Sequence, residues 1–228
     1  MSLKNLFGGF RRGRKEKSDA DAQPEPQVET RWVIAGLGNP GEDYAHSRHN
    51  LGFGVIDRIA KSKHAQFDRR KFKGLIAETE LAGARVLLVK PQTYYNGSGE
   101  CLAAVLGYYQ VPPLRLIVVH DELDLVSGRL QIKQGGSDAG NRGVRSIDQA
   151  LGTPGFIRIR VGISRPPGER ESKEYVLERL SAQTRADLDS SIARASEAVE
   201  AIIAEGLERA KQRFNQRAPA GGAAKNIR

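Results

Sequence analysis

Two short apolar runs decide most of what this chain can fold into: Trp32-Val33-Ile34-Ala35 and Leu116-Ile117-Val118-Val119-His120. A strand with one wet face alternates apolar and polar residues, so runs of this kind read as buried strands. Around them the period changes. Leu51, Val55, Ile56 and Ile59 recur at helical spacing within 46–60, and 99–109 reads as a helix ended by Pro112-Pro113. Segments 74–80 and 85–89 are strand-like, with Ala82-Gly83 as the hairpin turn between them. Residues 129–133 predict a further strand and 143–151 a helix. Segment 156–163 alternates apolar residues with arginine, the pattern of a half-solvated strand, and 174–180 and 186–214 predict closing helices. Strands alternating with helices predict an α/β sheet with helices on its faces, parallel in part and with at least one antiparallel hairpin.

The two ends of the chain differ from this middle. A basic cluster of Arg11, Arg12, Arg14, Lys15 and Lys17 precedes an acidic, alanine- and proline-containing stretch that buries no core. Residues 1–29 are therefore expected as a disordered extension, 30–217 as the domain, and 218–228, with Pro219, Gly221 and Gly222, as a flexible tail. No run approaches about 18 apolar residues, which argues against a membrane-spanning helix. Cys101 is the one cysteine, too few for an internal disulfide or a cysteine-rich zinc site. Residues 1–10 are too short and too glycine-broken for a signal-peptide core, so a soluble, cytoplasmic protein is expected. The lack of acids over 1–15 leaves a transit peptide as the alternative. A formal net charge of +9 attracts polyanions, nucleic acid or a membrane surface, and says nothing about fold.

Gly36-Leu37-Gly38-Asn39-Pro40-Gly41 fits the spacing G-x-G-x-x-G of dinucleotide-binding turns. That motif opens directly into a helix, whereas Asn39-Pro40-Gly41 reads as a turn followed by Glu42, Asp43 and Tyr44. Asp57, at the spacing of the ribose-binding acid, lies inside a helical pattern, so no nicotinamide cofactor is expected. What remains is a polar loop at the C-terminal end of a strand, where open α/β sheets place their sites. In it, Asn39 offers an amide able to donate and accept.

His49 stands at an expected helix start, where the dipole keeps an imidazole neutral and fit to act as a base; a capping or surface role suits the same position. His46 lies three residues before it, but only His120 and Asp121 suggest themselves as further ligands, and no metal site is expected. His120-Asp121-Glu122-Leu123-Asp124 leaves a strand abruptly into acids. Asp121 can hold a histidine's second nitrogen, while a magnesium site or a turn-forming acidic loop are equal readings of the local sequence. In Thr93-Tyr94-Tyr95-Asn96-Gly97, Asn96 is either a helix N-cap or a donor to a polarised carbonyl, and the tyrosines either line a pocket or pack. The glycine-rich loop from Lys133 to Arg145 leads into a helix, and its amides with Lys133, Arg142 and Arg145 make a phosphate site without the ending of a nucleotide P-loop. Arg158 and Arg160, on one strand face, extend that basic surface.

Taken in order, the stretches VIAGLGNPGEDYAHSRHNL from Val33, KPQTYYNGSG from Lys90, HDELDL from His120, and the glycine loop through RIRVGISRP resemble bacterial peptidyl-tRNA hydrolases, over about residues 30–217. The resemblance implies a monomeric, single-domain α/β fold with a mixed, twisted sheet flanked by helices. It also implies hydrolysis of the ester between a peptide and the terminal ribose of tRNA, with no cofactor, no membrane and no obligate protein partner. By position, His49 would be the general base and Asp121 its orienting partner. Asn39 and Asn96 would place the substrate carbonyls, Tyr44 would line the pocket, and Lys133 and Arg160 would hold the tRNA 5′-phosphate; from the local reading Tyr94 is expected to join the pocket and Arg145 the tRNA surface. The family commonly carries His-Asn where this chain has Asn141-Arg142. Either Asn141 would then serve by a one-position shift or Arg142 would take a phosphate or carbonyl, and Arg142 receives no catalytic role, since a guanidinium cannot accept a hydrogen bond. A relative that binds RNA with little catalysis is the competing reading of that departure.

Overall fold

The computed structural model describes residues 31–216. The expected extension 1–29 and tail 218–228 lie outside these residues. Seven strands form one sheet in the order β2-β3-β4-β1-β5-β7-β6. In chain order they are β1 (Arg31–Gly36), β2 (Arg69–Lys71), β3 (Gly74–Leu81), β4 (Ala84–Pro91), β5 (Leu116–Glu122), β6 (Leu130–Gln134) and β7 (Ile157–Gly162). The middle, β4-β1-β5-β7, is parallel; β2–β3–β4 at one edge and β6 at the other pair antiparallel. The sheet is thus mixed, as expected.

Helices cover both faces, which is why the apolar runs carry no alternation. On β1, Ile34 faces the cluster built with α1 (Leu51–Ser62) and α5 (Ala182–Glu205). Val33 and Ala35 face the opposite cluster, with α2 (Ser98–Tyr109) and α3 (Arg142–Leu151). Each large side chain so enclosed contributes about 1.5–3 kcal/mol of transfer free energy. At the end of β1 the packing is closer still: a Cβ on Gly36 would lie 2.1 Å from the Gly52 carbonyl oxygen, and one on Gly52 2.4 Å from the Leu37 nitrogen. The glycines of this turn therefore serve helix–strand approach. They do not open into a helix, because a loop and a 3-10 turn at Arg48–Asn50 precede α1.

Three expectations change. Strand β2 is not among the expected elements; it is three exposed cations paired antiparallel to β3, where Arg69 also reaches Glu78 (3.0 Å), with no apolar signal to reveal it. The long closing helix breaks at Gly206 (φ +88°), so α5 is followed by a separate α6 (Leu207–Phe214). Strand β7 is not half-solvated: it lies between β5 and β6, and Arg158 is only 2% exposed. Its guanidinium donates to the carbonyls of Gly135, Gly136 (3.0 Å) and Ser137 (2.9 Å), pinning the glycine-rich loop.

Candidate active site

Three parallel strands deliver residues to one cleft at their C-terminal ends, of about 590 Å³, lined by Asn39, Tyr44, His49, Tyr94, Tyr95, Asn96, Asp121, Asn141 and Arg142 among others. Asn39 follows β1, Tyr95 and Asn96 follow β4, and Asp121 ends β5. A short helix, α4 (Ser172–Leu177), adds Ser172, Lys173, Val176 and Leu177 to the wall.

His49 sits in the 3-10 turn before α1, and its Nδ1 lies 3.1 and 3.0 Å from the two carboxylate oxygens of Asp121. A carboxylate can only accept, so Nδ1 carries a proton, and in the neutral imidazole it is Nε2 that keeps the lone pair. Asp121 is 4% exposed. Burial pushes its carboxyl up, but the charge and hydrogen bond of His49 together with the Tyr95 hydroxyl outweigh that and hold it below its usual value. The pair is therefore an ionised carboxylate against the imidazole edge, the arrangement that orients a base.

Asn39 is held from two sides. Its backbone N–H donates to Asn50 Oδ1 (2.8 Å), and Asn50 Nδ2 donates back to the Asn39 carbonyl (2.9 Å). Its side-chain oxygen accepts from the Tyr95 N–H at 2.8 Å, and Nδ2 is left as a donor with no partner among the described residues. Asn96 is not an N-cap: α2 begins at Ser98 with Gly97 as its cap, and the exposed Asn96 amide makes no hydrogen bond among the described residues. Two amide donors and an imidazole tied to a carboxylate through Nδ1 thus line one cleft.

Tyr44 lines the cleft, as does Tyr94, which is 66% exposed. Its neighbour Tyr95 is the one built into the network, 4% exposed, stacked on His49 and donating from its hydroxyl to Asp121 Oδ1 (2.8 Å). Sequence reasoning left Tyr95 between pocket and packing and did not single out Asn50; no spacing rule separates Tyr94 from Tyr95. Asn141 caps α3, its oxygen accepting from the Val144 N–H (3.0 Å) while Nδ2 donates to the Tyr95 hydroxyl (3.0 Å). That cap occupies part of the helix start expected to cradle phosphate.

The other acids are committed to arginines. Glu122 pairs with Arg160 (2.8 Å) and Asp124 with Arg165 (2.8 Å). Among the described residues no group of three or more His, Cys, Asp or Glu is placed to hold a metal ion. His46 opens on a different depression from His49. Of the expected RNA contacts, Arg145 is held by Asp138 through two bonds, at 2.9 and 3.3 Å, and Arg160 by Glu122. Lys133, opposite Arg158 in the β6–β7 register, has no ion pair among the described residues, and neither does Arg142 at the cleft rim.

An α/β sheet that brings a carboxylate-held imidazole and amide donors together at its strand ends is an arrangement suited to a hydrolase. Comparison with known proteins identifies the family. The peptidyl-tRNA hydrolase family model matches residues 33–221, and the chain belongs to that family. It is 45% identical over 184 residues to the peptidyl-tRNA hydrolase of Frankia casuarinae, covering 81% of this chain and 93% of that one. It is 44% identical over 185 residues to that of Chloroflexus aggregans, covering 81% and 98%. The crystal structure of the peptidyl-tRNA hydrolase from Acinetobacter baumannii superposes with a TM-score of 0.77 at 31% identity, covering 84% of this chain and 98% of that one.

Proposed function

We propose that this chain hydrolyses the ester between peptide and tRNA in peptidyl-tRNA, with His49 as the general base. The observation that carries the reading is the His49–Asp121 contact at 3.0 Å, which leaves Nε2 as the acceptor facing a cleft with amide donors. Water bound at Nε2 gives up its proton as its oxygen attacks the ester carbonyl. Asp121 steadies the imidazolium that forms, and the Asn96 amide donates to the developing oxyanion. Collapse expels the ribose oxygen, which takes the proton from His49 and leaves as the hydroxyl of free tRNA. Asn39 donates to a peptide carbonyl, and Tyr44, Tyr94 and Asn141 shape the place of the peptide end.

The tRNA lies on the β6–β7 side. Lys133 is the contact there with no carboxylate in attendance among the described residues; Arg160 and Arg145 exchange an existing partner for phosphate, and Arg142 offers a guanidinium at the rim. No described helix is long and apolar enough to cross a membrane, and a cytoplasmic monomer acting alone on RNA completes the reading. The test is hydrolysis of N-acetyl-aminoacyl-tRNA beside unblocked aminoacyl-tRNA, with EDTA present, for wild type and His49→Ala. Release from the blocked substrate that requires His49 is expected. Binding of tRNA without release by the wild type would favour an RNA-binding relative, the reading that the Asn141-Arg142 pair raises.

A further inference from the structure

Tyr95 touches both His49 and Asp121 and two of the amides beside them. Its ring stacks on the His49 imidazole, with centroids 3.6 Å apart and planes 12° from parallel. Its hydroxyl donates to Asp121 Oδ1 at 2.8 Å and accepts from Asn141 Nδ2 at 3.0 Å, and its backbone N–H holds the Asn39 amide at 2.8 Å. A further wall is Gly143, where a Cβ would come within 2.5 Å of the tyrosine's Cε1, so the start of α3 is pressed against the ring. A side chain needed only to fill space would not require a hydroxyl aimed at the buried carboxylate that holds His49.

We propose that Tyr95 is a positioning residue for the His49–Asp121 pair, acting on the imidazole through its ring and on the carboxylate through its hydroxyl, with Asn141 and Gly143 fixing the tyrosine in turn. The proposal rests on His49 being the base. Its two arms act on the proton in opposite senses. When His49 takes a proton, the imidazolium faces the electron-rich phenol ring, which favours the charged form. The hydroxyl, by occupying a lone pair of Asp121 Oδ1, tempers the carboxylate's pull on that same imidazolium. The phenol stays a donor throughout, because burial and then the Asp121 charge push its pKa well above the ordinary range.

The two arms separate by substitution. Tyr95→Phe keeps the stack and the contact with Gly143 but frees Oδ1. The acidic limb of kcat/KM is expected to move to higher pH, by about half a unit to one unit, with kcat lower and KM unchanged. Tyr95→Leu removes the stack as well, and the limb is expected below that of Tyr95→Phe, with kcat reduced about 3- to 30-fold. A role in packing alone would lower stability in both variants and move neither limb. Thermal melts followed by circular dichroism establish that each variant is folded; should Tyr95→Leu fail to fold, the limb of Tyr95→Phe decides. An unmoved limb in Tyr95→Phe overturns the proposal. If His49→Ala turns over at the wild-type rate, it is the reading beneath that falls; an inactive His49→Ala with an unmoved Tyr95→Phe removes the role of Tyr95 alone.

Discussion

Asp121 carries the electrostatic cost of the site, since a carboxylate 4% exposed must be matched by what it touches. Burial raises its pKa, and His49 and Tyr95 more than reverse the effect, so its folded value lies below its unfolded one. By linkage, that difference contributes stability above the unfolded value of about 4 and loses it as pH falls through the folded value. The stability gap between wild type and Asp121→Asn, read from urea unfolding, is therefore expected to be full at pH 6–7 and to narrow below about pH 4. A gap of constant size down to pH 3 would contradict this. At this scale the sequence was partly legible. His49 and Asp121 could be proposed because a helix start and a strand end are places where imidazoles and carboxylates acquire functions. Tyr95 could not be separated from Tyr94, because adjacent tyrosines in a loop carry no period. Only the fold decides which of them turns inward.

At the scale of elements, the apolar runs predicted β1 and β5 because burial on both faces removes the need for polar positions. Strand β2 and the break at Gly206 were illegible for the opposite reason: each is set by backbone pairing or backbone torsion, which side-chain periodicity does not record. Arg158 misled through its charge. An alternating arginine ordinarily marks a wet face, yet here the guanidinium is buried by three loop carbonyls that need a donor. Arg158→Lys, which keeps the charge but loses the fork, is expected to raise amide exchange across residues 135–141 and to weaken tRNA binding more than turnover. Protection equal to wild type would show that the loop does not depend on that fork. The approach of α1 to the sheet makes a second prediction. Gly52→Ala places a Cβ within 2.5 Å of the Leu37 and Val119 carbonyl oxygens, and should cost about 1–3 kcal/mol in urea unfolding. It should also lower kcat, since α1 carries the turn that holds His49. A fully stable, fully active Gly52→Ala would show that the helix can shift without disturbing the site.

For the whole molecule, the net charge of +9 favours a polyanionic partner without deciding on one or locating it. The structure shows why composition could not: many cations are already paired, as Arg160 is with Glu122 and Arg145 with Asp138, and charge counting does not distinguish spent from free. Lys133→Ala is expected to raise KM and flatten its salt dependence while leaving kcat near wild type, because it acts on phosphate and not on the ester. An unchanged KM would remove Lys133 from the RNA surface. The central claim is that Asp121 keeps the His49 proton on Nδ1, so that Nε2 can take one from water. Single-turnover hydrolysis of N-acetyl-aminoacyl-tRNA at saturating enzyme, wild type against Asp121→Asn, tests it most directly. An amide in that place no longer enforces the tautomer, and the account predicts a rate lower by about 10²–10⁴ with tRNA affinity intact. A rate within a few-fold of wild type would contradict it.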